Sequence, residues 1–183
     1  MNYKRILTIQ DISCVGQCSL TVALPIVSAC GVEVGILPSA VLSNHTAFSS
    51  FTFKDLTDDM PAIQTEWVRQ GITFSALYTG YLGNAAQVDY VKSIMGTLLD
   101  EGALKIVDPA MADGGRLYTG FDEAYVKEMK SLCYDADIIL PNITEACLLT
   151  GIEYRVEYDL DYISDLLQKL SEICDRVVLT GVF

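Results

Sequence analysis

The sequence predicts an α/β fold: a mainly parallel central sheet flanked by helices. Short apolar runs of strand length alternate with stretches that carry apolar residues at helical spacing. The apolar runs are nearly continuous, which is typical of strands covered on both faces. The chain of 183 residues is 51% hydrophobic and can bury a substantial core, so we expect one ordered domain over residues 1–183.

Six apolar runs are the predicted strands. They occupy residues 5–9, 32–37, 74–78, 104–107, 137–140 and 176–180. Their lengths and their Ile, Val and Leu content suit buried strands. Since strand follows helix through most of the chain, we expect parallel pairing between them.

Helical stripes fill most of the gaps between these runs. Two long stripes are formed by Val88, Val91, Met95, Leu98 and Leu99, and by Leu160, Ile163, Leu166, Leu167 and Leu170. Asp122 is the predicted N-cap of a shorter helix over 125–133, and Asp59 with Pro61 predicts the start of another that covers Ile63 and Trp67. Pro25 predicts a kink or a short start in the helix after Gly16.

The segment 39–58 interrupts this rhythm. It is rich in Ser, Thr and Phe and carries no helical stripe. We expect either an excursion of small strands or a lid over a binding site.

Composition excludes several functions. The formal net charge is −12, which repels phosphate backbones and argues against nucleic-acid binding. No apolar run has the length of a membrane span. The six cysteines form no CxxC pair, which gives a structural zinc site little support. Without an export signal we expect a cytoplasmic protein with reduced thiols, in which Cys30, Cys133, Cys147 and Cys174 act as small core residues.

Polar residues follow the predicted strands at their carboxyl ends. The loops read QDISCVGQ, LSNHT, TGYLGN, DPAMADGG, PNITE and TG. Parallel strands present these ends at one edge of a sheet, where α/β proteins bind ligands. We therefore expect a binding site at that edge.

Three carboxylates are predicted at this edge: Asp108, Asp113 and Glu145. A bound Mg²⁺ would relieve their mutual repulsion. Each also has a structural interpretation. Asp108 can form an Asx-turn, and Asp113 with Gly114 is a common turn pair. Asn142 and Glu145 have the spacing of a capping box, as Asn84 and Gln87 do.

The motifs, in their order along the chain, resemble those of the pyridoxal kinases of the ribokinase-like superfamily. The matching stretches are ILTIQD, LPSAVLSNHT, TGYLGNAAQ, VDPAMADGGRLY and ILPNITEACLLTG. The resemblance implies transfer of the γ-phosphoryl group of MgATP to the 5'-hydroxymethyl group of a vitamin B6 vitamer (pyridoxal, pyridoxamine or pyridoxine). It also implies a homodimer and, as a further candidate ligand, a monovalent cation.

The resemblance implies roles for individual residues as well. The substrate-binding residues would be Asp11, Asn44, His45, Thr46 and Tyr81. The nucleotide-binding residues would be Asp108, Asn142 and Thr180. The metal-region carboxylates would be Asp113 and Glu145.

The chain departs from the family pattern at three places. Asp11 stands where many members have serine, and Ala112 replaces the glycine of the usual MGD. The GxGD segment, whose aspartate is the family's catalytic base, does not occur in the 183 residues. Two alternatives therefore remain beside a vitamer kinase: a hydroxymethylpyrimidine kinase of the same superfamily, and a non-catalytic fragment that binds a vitamer.

Overall fold

The computed structural model describes residues 4–46 and 48–182, which form two compact units that meet in the chain at Lys105 and Ile106. The strands are β1 (Arg5–Ser13), β2 (Glu33–Leu42), β3 (Phe53–Asp55), β4 (Phe74–Thr79), β5 (Leu99–Val107), β6 (Ala112–Asp113), β7 (Arg116–Leu117) and β8 (Ile138–Ile139). The helices are α1 (Leu20–Ala29), α2 (Met60–Arg69), α3 (Ala85–Thr97), α4 (Glu123–Tyr134), α5 (Ile143–Thr150) and α6 (Leu160–Leu170).

The first unit is built on a sheet with the strand order β3-β2-β1-β4-β5. β1 is its central strand and pairs in parallel with both neighbours, so that Ile6 lies between Val34 and Ala76. Residues 7–11 of β1 are all buried, as expected for a strand covered on both faces. The short strand β3 pairs antiparallel with the end of β2. The part of the segment 39–58 that follows Leu42 is thus an excursion that leaves β2 and returns along it.

Gly35 of β2 is required by a close contact with an aromatic ring. A Cβ atom at Gly35 would lie 2.4 Å from Cε1 of Phe74. Phe74 is 1% exposed, and its ring meets that of Trp67 edge-on at 5.5 Å. We expect Gly35→Ala to lower the free energy of unfolding by about 1–3 kcal/mol, because the ring must shift inside a packed core. Urea unfolding measures the effect.

Gly96→Ala is the matched control for this substitution. A Cβ atom at Gly96, in α3, meets nothing within 4 Å, so alanine should raise stability by up to about 1 kcal/mol through helix propensity. Equal effects of the two substitutions would contradict the packing argument.

The second unit begins with the end of β5, where Ile106 and Val107 pair in parallel with Ile138 and Ile139 of β8. Helices α4, α5 and α6 supply most of its core. The buried side chains include those of Met129, Leu132, Ile139, Leu149, Leu166 and Leu170. β6 and β7 form a small antiparallel hairpin.

Most predicted elements are confirmed. β1, β2, β4 and β8 begin within one residue of the predicted starts, whereas β5 begins five residues before the predicted residue 104. α6 spans the predicted stripe from Leu160 to Leu170. Asp122 caps α4 by accepting a hydrogen bond from the amide of Tyr125 at 2.9 Å. A mainly parallel sheet with flanking helices is therefore the observed architecture.

Four predictions about elements or burial are corrected. The run 176–180 is no strand: it makes only two isolated bridges, Ile139 with Val177 and Asn142 with Thr180. Residues 39–42 belong to β2 rather than to the excursion. Cys30 is exposed, because it lies just past the end of α1. Leu99, predicted as part of the stripe of α3, instead begins β5. Pro25 lies inside α1, and the predicted kink there stays a prediction.

Within the part of the chain that the structure describes, the helices are all too short or too polar to cross a membrane.

Candidate functional site

The sequence-predicted site residues fall into two groups, one in each unit. The first group consists of Asp11, Asn44, His45, Thr46 and Tyr81. The second consists of Asp108, Asp113, Asn142, Glu145 and Thr180. Whether the two groups serve one ligand-binding site stays a prediction.

Asp11 is a buried carboxylate near the end of β1. It is 5% exposed, and its Oδ2 accepts a hydrogen bond from the hydroxyl of Ser13 at 3.0 Å. The register between β1 and β2 shifts between Gln10 and Ile12, so Asp11 lies at an irregularity of the ladder. None of the ion pairs among the described residues includes it. A buried carboxylate of this kind can accept a hydrogen bond from a ligand.

Tyr81 follows β4 at the same level of the sheet as Asp11. Ile9 of β1 pairs with Thr79 of β4, and the amide of Gly80 donates to the carbonyl of Ile9 at 3.0 Å. Burial, together with the negative charges of Asp11 and Asp55, raises the pKa of Tyr81 to about 12. Its hydroxyl group therefore stays neutral at physiological pH, and its ring offers a flat apolar surface.

Asn44, His45 and Thr46 lie in the excursion between β2 and β3. The Asn44 side chain donates to the carbonyl of Ser50 at 2.9 Å and accepts from the hydroxyl of Ser43 at 2.7 Å. The amide of His45 donates to the carbonyl of Val15 at 3.0 Å. Thr46 is exposed. These bonds fix the backbone on either side of His45.

Gly16 lies directly against the ring of His45. Its backbone has a positive φ of 110°. A Cβ atom at this position would lie 2.0 Å from Cδ2 of His45. We expect Gly16→Ala to displace the imidazole and to strain the loop, at a combined cost of about 1–3 kcal/mol. Thermal unfolding measures the cost, and the His45 imidazole NMR signals should shift. Unchanged imidazole signals would contradict the predicted displacement.

Glu145 organises the second group from the first turn of α5. It is 2% exposed and accepts three backbone hydrogen bonds: from Asn142 at 2.8 Å, from Met111 at 3.1 Å and from Ala112 at 3.5 Å. The capping box with Asn142 is confirmed. The two bonds to the loop after β5 were not predicted, because their partners lie more than 30 residues away in the sequence.

Burial raises the pKa values of two carboxyl groups here. The pKa of Asp108 rises to about 7 for this reason. The pKa of Glu145 rises to about 8, since burial and the nearby charge of Asp108 outweigh the lowering effect of the three amide donors. The predicted Asx-turn at Asp108 is wrong: among the described residues, its carboxyl group accepts no hydrogen bond.

Asp113 lies at the tip of the β6–β7 hairpin and is exposed. Its Oδ1 accepts from the amide of Gly114 at 2.7 Å. Gly114 and Gly115 both have positive φ, at 55° and 77°, as a two-residue hairpin of type I′ requires. The predicted turn is thus confirmed. The hairpin is also fastened to α5, because the amide of Gly115 donates to the hydroxyl of Thr144 at 3.0 Å.

A cavity of about 490 Å³ opens at the amino terminus of α5. Its lining residues are Asp113, Asn142, Ile143, Thr144, Tyr154, Val156, Glu157, Tyr158 and Gly181. Thr144, Tyr154 and Tyr158 were not predicted. Thr144 could have been found from its place in the first turn of a capped helix, whereas no signal marked the tyrosines.

Asn142 and Thr180 are held next to this cavity. The side chain of Asn142 accepts from the amide of Glu145 and donates to the carbonyl of Ala112 at 2.8 Å. One of its two amide hydrogens is left for another acceptor. Thr180 is exposed and donates to the carbonyl of Pro141 twice, from its backbone N–H at 2.9 Å and from its hydroxyl at 3.3 Å.

Tyr118 was missed by the sequence analysis. It follows β7 and its amide donates to the carbonyl of Met111 at 2.9 Å. Burial, with the charges of Glu145, Asp113 and Asp108, raises the pKa of its phenol to about 12. Tyr118 is therefore a neutral group close to three carboxyl groups.

The described residues contain no preformed cluster of three His, Cys, Asp or Glu side chains that could hold a metal ion. Mg²⁺ in phosphotransfer sites is usually held by one or two carboxylates together with substrate phosphates and water. The exposed carboxylate of Asp113 suits that mode, and so does the carboxyl group of Asp108, which accepts no hydrogen bond from the described residues. Direct coordination by Glu145 stays a prediction, since its oxygens already accept three hydrogen bonds.

Comparison with known proteins relates the chain to two groups of kinases. One similar solved structure is a protein from Bacteroides thetaiotaomicron that was crystallised with pyridoxal and is described as a candidate phosphomethylpyrimidine kinase. Its sequence is 41% identical, and the match covers 100% of this chain and 64% of that one with a TM-score of 0.93. The pyridoxal kinase of Lactobacillus plantarum has 36% identity and a TM-score of 0.87, over 98% of this chain and 64% of that one.

Curated relatives point the same way. The pyridoxal kinase of Dictyostelium discoideum is 28% identical over 98% of this chain and 60% of its own length. The chain spans about half to three-fifths of the length of the curated relatives it matches. The family model for phosphomethylpyrimidine kinase matches residues 27–182. The chain therefore belongs to the phosphomethylpyrimidine kinase family, whose ribokinase-like fold it shares with the pyridoxal kinases.

Proposed function

We propose that this chain is the vitamer-binding and phosphate-binding part of an ATP-dependent kinase that phosphorylates the 5'-hydroxymethyl group of a vitamin B6 vitamer. One observation carries the proposal. Glu145 anchors the loop that bears Asp108 and Asp113 to the amino terminus of α5, where a cavity opens. Similarity to pyridoxal kinases supports the choice of substrate.

The second unit binds the phosphates in this proposal. The amino terminus of α5 offers backbone N–H groups and a positive dipole end to an anion. Asn142 supplies one further amide hydrogen. Thr180 supplies a hydroxyl group, which would exchange its bond to the carbonyl of Pro141 for one to the phosphate. Asp113 and Asp108 would hold Mg²⁺, which when bound neutralises the charge of the phosphates.

The first unit binds the vitamer. The ring of Tyr81 packs against the pyridine ring. The carboxylate of Asp11 accepts a hydrogen bond from a polar hydrogen of the ligand. His45 and its neighbours lie in the excursion, which closes over the vitamer and excludes water.

The test uses the full-length protein with MgATP and, separately, pyridoxal, pyridoxamine and pyridoxine. We expect a new phosphate monoester of at least one vitamer, detected by chromatography and ³¹P NMR. Asp113→Asn should lower the rate, and Asp165→Asn, at an exposed acid of α6 that carries no proposed role, should not. A folded full-length protein that yields no vitamer phosphate would refute the proposal.

Hydroxymethylpyrimidine phosphorylation is the second candidate, and the match to the phosphomethylpyrimidine kinase model favours it. Competition between hydroxymethylpyrimidine and pyridoxal in one assay separates the two. We expect pyridoxal to be the better substrate, since solved pyridoxal kinases resemble this chain over nearly all of its length.

Three further parts belong to the proposal; the first and third rest on the resemblance, and the second on the sequence analysis. They are a homodimer, a cytoplasmic location and a monovalent cation near Asp108. Size-exclusion chromatography with light scattering, and assays with K⁺ or Na⁺ as the only monovalent cation, test the first and third.

A further inference from the structure

A buried polar network in the first unit connects the residues of the proposed vitamer-binding group. Its centre is Gln87, in the first turn of α3, which is 0% exposed. The side chain of Gln87 is not needed to cap α3, because the side chain of Asn84 already caps this helix by accepting from the backbone amide of Gln87 at 3.1 Å. The Gln87 side chain does not bond the amide of Asn84 as a full capping box would. It is directed to other loops.

Both ends of the Gln87 amide have partners. Its Oε1 accepts from the amide of Gly83 at 2.7 Å. Its Nε2 donates to the carbonyl of Ser39 at 2.9 Å and to the hydroxyl of Thr57 at 2.9 Å, and lies 3.3 Å from a carboxylate oxygen of Asp55. A backbone N–H on one side and a backbone carbonyl on the other determine which end is oxygen.

One branch of the network reaches Tyr81. The hydroxyl of Ser39 donates to the carbonyl of Tyr81 at 2.7 Å, and Ser39 is 0% exposed. Gln87 binds Ser39 directly, and it also binds Gly83, two residues after Tyr81. The backbone of Tyr81 is thus held from both sides by groups that Gln87 fixes.

The other branch reaches the end of the excursion. Asp55, the last residue of β3, accepts hydrogen bonds from Thr57, from the side chain of Asn84 at 3.0 Å and from Gln87. Although burial opposes it, these bonds lower the pKa of Asp55, which stays an ionised acceptor. The returning end of the segment that carries His45 is therefore tied to the same glutamine.

We propose that Gln87 is a positioning residue for the vitamer: it fixes the backbone of Tyr81 and the β2–β3 excursion relative to each other. This inference rests on the proposed function. Without the Gln87 amide, the amide of Gly83 loses its acceptor. The carbonyl of Ser39 keeps only the amide of Leu56, at 3.2 Å, and the two loops can shift independently. Small misplacements of binding groups can cost about 10²-fold in rate.

The test compares three variants of the full-length protein. Gln87→Met keeps the size of the side chain and removes its hydrogen bonds. Ser39→Ala removes only the bond to Tyr81. Gln64→Met is the matched control, because Gln64 also bridges α3, to Ser93 and Thr97 at 2.9 Å, but on the exposed surface and without contact to the network.

We expect Gln87→Met and Ser39→Ala to raise the KM for the vitamer about ten-fold or more, with the KM for ATP changed less than two-fold. Gln64→Met should change neither. In Gln87→Met, amide hydrogen exchange should accelerate in residues 80–84 and in the excursion together. If Gln87→Met does not fold, Ser39→Ala carries the test.

Equal changes of both KM values, or a lower Tm with both KM values unchanged, would overturn the positioning role. A wild-type protein that phosphorylates no vitamer would instead overturn the proposed function, and this inference with it. The wild-type assay therefore distinguishes the two failures.

Discussion

Replacing Glu145 by alanine should destabilise the second unit by about 3 kcal/mol or more, because three backbone N–H groups lose their acceptor and two of them belong to fully buried residues. Met111 and Ala112 are both 0% exposed. For a chain of this size the loss corresponds to a fall in Tm of about 6–12 °C. The same substitution releases the loop that carries Asp113, so the proposed kinase activity should fall as well.

Glu123→Ala is the control for this experiment. Glu123 also lies in the first turn of a helix, α4, but is exposed, and its loss should cost about 0.3–1 kcal/mol. Differential scanning calorimetry of both variants measures the difference. Similar Tm values for the two would show that Glu145 does not hold the loop.

The second large effect is on the pH dependence of stability. The folded-state pKa values of Asp108 and Glu145 are raised to about 7 and about 8, mainly by burial. At pH values between the ordinary pKa of a carboxyl group and these raised pKa values, Asp108 and Glu145 keep their protons in the folded protein but lose them in the unfolded chain. The free energy of unfolding should therefore fall as the pH rises from about 5 to 8.

Thermal unfolding at pH 5.5 and at pH 8 tests this expectation. Asp108→Asn removes one of the two titrating groups and should flatten the dependence and raise Tm at pH 8. Mg²⁺ should raise Tm more at pH 8 than at pH 5.5 if it binds the ionised carboxylates. A Tm that rises from pH 5.5 to pH 8 would contradict the assigned shifts.

Local patterns in the sequence were sufficient for most of the fold. The stripes of α4 and α6 and the capping box at Asn142 depend on residues three or four apart, and these were predicted correctly. β5 was harder, because its first half contains the exposed residues Asp100 and Glu101 and the positive-φ residue Gly102, which do not resemble a buried strand. The run 176–180 has strand-like residues but forms only isolated bridges.

The site could be predicted only to the level of which loops carry polar residues. The bonds from Glu145 to Met111 and from Gln87 to Ser39 span 34 and 48 residues. No local spacing encodes such pairs. Gln87 was identified only as a helix-capping residue, and its burial at the centre of a network became visible only with the tertiary structure.

No donor among the described residues bonds the carboxyl group of Asp108, and this has a consequence for protein engineering. Its neighbour Glu145 accepts from three amide donors, whereas Asp108 bears the cost of burial without a compensating hydrogen bond from the described residues. A laboratory selection for heat resistance alone should therefore favour loss of the charge at position 108. If Asp108 serves phosphate and metal binding as proposed, the thermostable survivors of such a selection would be poor catalysts, and Asp108 would be a position where stability and activity oppose each other.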